Sequence, residues 1–189
     1  MGTGKSRRED NDSFIFSSNH VTLFHPVSSK EISPQWAIHM QPRFDYYKAA
    51  PEVFGPVLAL SNYSRDCGLE HSLAELVKIR ASQLNGCAYC LEMHTREARA
   101  QGETEARLHL LAAWRESPLY TERERAALAW TEAITLIADS RAPDEVYENA
   151  RKHFTENELV KLTLVIGVIN TWNRFAVGFR AVHPLPKAE

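Results

Sequence analysis

The stretch that most limits what this chain can become is its last long segment. Thr155 and Glu158 stand three residues apart, and LVKLTLVIGVINTWNRFAVGF follows almost at once. That spacing is a capping box, in which the Thr and Glu side chains satisfy orphan backbone N–H groups at a helix start. The residues behind it are apolar on most sides. Such a helix must be buried at the centre of a domain or covered by another copy of the chain. It therefore needs other helices around it.

The remaining sequence supplies them. PRFDYYKAAPEVFGPVLALSNYSRDCG predicts a short helix, a break at Pro51, and a longer helix ending near Gly68. In LEHSLAELVKIRASQLNG, Leu73, Leu76, Val77, Ile79, Ala81 and Leu84 form a wide apolar face, and Asn85-Gly86 ends the helix. CAYCLEMHTREARAQG reads as a helix stopped by Gly102, and TEARLHLLAAW as a shorter one reaching Ser117-Pro118. Thr121 and Glu124 make another capping box ahead of ALAWTEAITLI. Pro143 suits the first position of a helix through PDEVYENARKHF. Strands do not alternate with these helices, so the expected fold class is all-α. Residues 1–39 lack helical periodicity. They read as an irregular N-terminal extension with weak strand character at 14–16 and 21–24, and 40–189 as one helical domain.

Composition excludes several functions. The 189 residues carry a formal net charge of -2, so charge gives no reason to expect nucleic acid or an anionic membrane as a partner. The longest apolar stretch, 162–169, falls short of the roughly 18–20 residues that span a bilayer. MGTGKSRREDNDSF has no apolar leader character, which points to a cytoplasmic setting with reduced thiols. Three cysteines are too few for a disulfide framework.

Two of those cysteines carry the chemistry. Cys87 and Cys90 form a C-x-x-C just after the Asn85-Gly86 helix stop, and His94 lies four residues beyond. A helix start offers unpaired N–H groups and partial positive charge, and both favour a thiolate. At i, i+3 the two sulfurs can close a disulfide with little backbone movement. His94, one turn past Cys90, is placed to exchange a proton with it. A third group commonly orients such a histidine, and Glu75 on the preceding helix is a candidate. Ser72 to Glu75 also matches a capping box, so a capping role for Glu75 is equally open on the pattern. Cys67 reads as a small buried hydrophobe. Zinc held by Cys87, Cys90 and His94, with His71 as fourth ligand, is the rival use of the motif, although a second paired ligand group is missing. The preferred reading has no metal and no cofactor.

Taken together, Glu75, Cys87, Cys90 and His94 spell E-x11-C-x2-C-x3-H. The pattern and the run LVKIRASQLNGCAYCLEMH resemble the alkylhydroperoxidase D-like (AhpD-like) branch of the carboxymuconolactone decarboxylase superfamily. REARAQG and TERERAALAWTEAIT fit the same layout, and the likeness runs from Met40 to Pro184. The resemblance implies an all-helical fold assembled as a homotrimer or homohexamer. It implies a thiol-dependent peroxidase acting on a peroxide substrate with an external thiol or dithiol reductant. Cys90 would be the peroxidatic cysteine and Cys87 the resolving one, with His94 and Glu75 as the proton relay. Tyr89 stands where well-known members often carry His. Decarboxylase members usually lack the cysteine pair, so lactone or keto-acid decarboxylation or isomerisation through His94 and Glu75 is the second expectation, and a non-enzymatic helical oligomer with a redox-sensing or zinc-bound cysteine pair the third.

Overall fold

The computed structural model describes residues 41–184; the extension 1–39, with its two expected strand segments, lies outside them. Nine α-helices and one 3-10 helix make up the described part, with no strand among these residues. They are α1 (Tyr46–Ala49), α2 (Pro51–Arg65), α3 (His71–Asn85), α4 (Ala88–Ala100), α5 (Glu105–Leu110), the 3-10 helix Leu111–Glu116, α6 (Glu122–Thr135), α7 (Ile137–Ser140), α8 (Asp144–Arg151) and α9 (Glu156–Phe179).

Local chemistry sets the boundaries. Both expected capping boxes close fully. Thr155 N–H donates to Glu158 at 2.8 Å, and the Thr155 hydroxyl accepts from Glu158 N–H at 3.2 Å. The same pair of bonds joins Thr121 and Glu124. Bonds from the Thr155 backbone and hydroxyl, with Arg123 beside them, hold the Glu158 carboxyl down at about 2. Pro51 opens α2, as its fixed φ and missing N–H favour. Pro143 stands one residue earlier than expected, at the N-cap, because its ψ of 145° is extended. Gly86 ends α3 at φ 65°, a left-handed geometry that costs glycine little.

Two helices share the centre. α3 packs against α4, α6 and α9, and Leu76, Val77, Ile79, Ala81 and Ser82 are almost wholly enclosed. On one side, Leu73 and Val77 join Ala127, Trp130, Leu162 and Ile166 from α6 and α9. On the other, Leu76 and Ile79 meet Leu108, Leu111, Trp114 and Leu128. α9, expected either at the centre of the domain or against another copy of the chain, is central along one face and leaves Val160 and Val177 open. Its length and mean hydropathy would let it cross a bilayer, a property that the broken apolar run 162–169 concealed. Here α2, α3, α4, α6 and α8 pack around it.

α1 and α2 are attached to the second half of α9 by aromatic rings. Tyr47 and Phe54 lie 4.2 Å apart between centroids, and Phe54 continues to Phe175 at 5.3 Å and Trp172 at 6.1 Å. The Trp172 indole N–H donates to Ser61 Oγ at 2.6 Å. Beyond this seam α2 buries only Ser64.

Candidate redox site

The α3–α4 turn brings the motif together. After Gly86 the Cys87 N–H donates to Ser82 O at 3.0 Å, which closes the C-terminus of α3. Cys87 is the N-cap of α4, and its Sγ accepts the Cys90 backbone N–H at 3.3 Å. The two residues are 5.4 Å apart at Cα and are joined by a disulfide. Both are buried, against Ala81, Ile169 and Ala176. Asparagines secure the turn to α9. Asn85 Nδ2 donates to Asn173 Oδ1 at 2.8 Å and to Asn170 Oδ1 at 3.0 Å, while Asn173 Nδ2 donates to Ser82 Oγ at 3.1 Å.

One turn along α4, His94 is 6 % exposed and meets Glu75, 5 % exposed, across the helix pair. His94 Nδ1 and Glu75 Oε2 are 2.9 Å apart. The Lys78 ammonium holds the other oxygen of Glu75. Burial pushes the Glu75 carboxyl up, but the His94 hydrogen bond and the Lys78 charge more than offset it, so its pKa lies below the ordinary value. An ionised carboxylate only accepts, so Nδ1 of His94 carries the hydrogen it donates. In the neutral ring Nε2 is then the free base. Glu97 adds a second acidic contact to Nδ1 at 3.4 Å.

The capping role that Ser72 suggested for Glu75 is thereby overturned. α3 begins at His71 with Glu70 as N-cap, so Ser72 lies inside the helix and Glu75 faces His94 and Lys78. His71 is no fourth ligand for a metal at the cysteines. It starts α3, about 15 residues or roughly 22 Å of helix from the turn. Donor atoms of Glu75, His94 and Glu97 lie within 4.8 Å of one another, the residue types that bind zinc. Both Glu75 oxygens are already engaged, by Lys78 and by His94.

Cys90 and His94 both line a cavity of 320 Å³ between α2, α3, α4 and α9. Tyr46, Tyr89 and Trp172 line it together with Arg65, His71 and Glu97. Burial, with Tyr47 and Tyr89 nearby, pushes the Tyr46 phenol up to about 12, so it remains a hydrogen-bond donor at neutral pH. The sequence motif omitted Lys78 and Glu97, although each sits three residues along a helix from a motif member, Lys78 from Glu75 and Glu97 from His94. The aromatic wall from α1 and α9 carried no sequence signal.

An all-helical domain with a C-x-x-C disulfide at a helix start and a Glu–His pair beside it defines the class. The comparisons with known proteins agree. Residues 51–133 match the carboxymuconolactone decarboxylase family. Protein YdfG of Bacillus subtilis (strain 168), uncharacterized, is 44 % identical over 138 residues, which cover 73 % of this chain and 94 % of that protein. A crystal structure from Agrobacterium tumefaciens, of a protein of unknown function for which a role as the antioxidant defence protein AhpD is suggested, is 52 % identical. It superposes with a TM-score of 0.76 over 77 % of this chain and 100 % of that one. An uncharacterized peroxidase-related protein from Silicibacter sp. TM1040 shares the fold at 24 % identity, with a TM-score of 0.64 over 81 % of each chain. The chain belongs to the carboxymuconolactone decarboxylase family and has the AhpD-like fold.

Proposed function

We propose that the protein is a thiol-dependent peroxidase of the alkyl hydroperoxide reductase type. One observation carries this reading: Cys90, half of a disulfide pair, shares a cavity with a histidine already paired to an ionised glutamate. In the reduced protein His94 Nε2 takes the Cys90 proton, and the start of α4 favours the thiolate. The thiolate attacks the peroxide O–O bond. Cys90 becomes a sulfenic acid, and alcohol or water leaves with a proton from His94. Cys87 then condenses with the sulfenic acid, releasing water and forming the Cys87–Cys90 disulfide. An external thiol or dithiol restores the pair. Acid–base chemistry on lactones or keto acids through His94 and Glu75 would leave the adjacent disulfide without a role.

The test is peroxide consumption with a dithiol donor. Wild type should turn over and Cys90→Ser should not. Turnover that survives both Cys90→Ser and thiol alkylation would defeat the proposal.

A further inference from the structure

The disulfide touches two cavities, and the peroxidase reading uses one. The second, of 350 Å³, has Cys87 on one side and Val177, Arg180 and His183 on the other. Tyr89 and Ala176 line both cavities and so form the wall between them. Cys90 lines only the first cavity, and Cys87 only the second. The second cavity also differs in charge. Among the described residues lining it there is no acid, while Arg180 and His183 are both basic side chains. It also borders Cys87 and Ala88 at the start of the 13-residue α4, where partial positive charge adds to the same sign. No salt bridge engages Arg180 among the described residues.

We propose that this cavity is the reductant port, and that it takes a small thiol bearing a carboxylate. The inference rests on the redox reading of the cysteine pair. The carboxylate sits against Arg180 and His183, and the thiolate attacks Cys87 Sγ. A new S–S bond forms between the reductant and Cys87. The Cys87–Cys90 bond breaks, and its electron pair leaves on Cys90. The leaving sulfur is the one on the His94 side, where protonated His94 can supply a proton. A second thiolate attacks the reductant sulfur and releases Cys87 as a thiolate beside the Cys90 N–H. Two thiols become one external disulfide, and the protein gains two electrons. Peroxide and reductant thus approach opposite sulfurs from opposite sides, and neither has to vacate the other's cavity.

The experiment uses the full chain, oxidised by diamide and freed of oxidant, so no peroxide is involved. It is mixed with 3-mercaptopropionate or with the neutral amide of that thiol, and rates are normalised to thiolate concentration. Acid quenching, alkylation and peptide mapping locate the transient mixed disulfide. We expect it on Cys87, with the carboxylate thiol about two- to fivefold faster than the amide, the range of one exposed ion pair. That ratio should approach one in Arg180→Gln, and also in wild type at 1 M salt. The salt series stands in for the variant should Arg180→Gln fold poorly. A mixed disulfide on Cys90, or equal rates for the two thiols in wild type at low salt, overturns the port. Failure to consume peroxide with dithiothreitol would instead defeat the peroxidase reading and leave this result standing.

Discussion

Glu75→Gln is the substitution that weighs the relay most directly. Glutamine has the size of glutamate and can still accept from His94 Nδ1–H, so the cavity and the packing of α3 survive. The negative charge is lost, both toward His94 and toward Lys78. A hydrogen bond to a charged group contributes about 1.5–3 kcal/mol, and stranding a buried charge costs about 3–5 kcal/mol. Lys78 is not stranded, since its side chain is 19 % exposed and its stem can swing the ammonium to water. The expected loss is therefore about 2 kcal/mol, near the low end of those ranges. At 2–4 °C per kcal/mol for a chain of this size, Tm falls by about 4–8 °C. The difference depends on pH in a definite direction. The folded pKa of Glu75 lies below the ordinary 4.5, so its contribution is complete above that value and fades as pH falls below it. Melting curves of wild type and variant should be furthest apart at neutral pH and converge in acid. In parallel, the alkylation rate of Cys90 in the reduced variant should fall at neutral pH and its profile move to higher pH, because the imidazole has lost its orienting anion. If Tm drops while the alkylation profile stays in place, Glu75 is a structural partner of Lys78 and the relay argument fails.

The cysteine roles separate by substitution. Cys87→Ser should react once with peroxide and stop at a trappable sulfenic acid, and Cys90→Ser should lose that first reaction. A sulfenic acid trapped on Cys87 would reverse the assignment. Thr155→Ala removes one side of the α9 capping box and should cost about 1 kcal/mol, or about 2–4 °C in Tm; an unchanged melting curve would show that the cap contributes nothing. The exposed apolar side chains of α2, Val53, Leu58, Leu60 and Tyr63, call for a covering partner, and we expect a homotrimer or homohexamer in solution. Light scattering that finds only a 21.5 kDa particle at micromolar concentration would refute that assembly.

The legible parts of this chain are those whose physics is local. Thr121–Glu124 and Thr155–Glu158 can be read from four residues, because a capping box is satisfied within one turn. Gly86 is equally plain, and the Cys87, Cys90 and His94 spacing followed once that helix boundary was placed. Glu75 was ambiguous, since its use depends on where α3 begins, and a shift from Ser72 to Glu70 as N-cap turns a cap into a buried partner of His94. The wide apolar face of α3 is legible in the sequence, but its contact with three other helices is not. Its burial comes from neighbours on several sides rather than from its own hydropathy, which Lys78, Arg80 and Gln83 lower. The cavity walls escaped altogether. Tyr46 and Trp172 are more than a hundred residues apart and come to line one cavity only through tertiary packing.

The asparagine cluster at the α3–α4 turn has a consequence for how far the two redox forms can differ. Asn85, Asn170, Asn173 and Ser82 attach the disulfide segment to the centre of the domain, and none of their bonds involves sulfur. We therefore expect the attachment to survive reduction of the Cys87–Cys90 bond, and the oxidised and reduced forms to have nearly the same shape. A partner that must tell the forms apart has to read the electrostatics of two small cavities, because the outline of the molecule carries almost no memory of the two electrons.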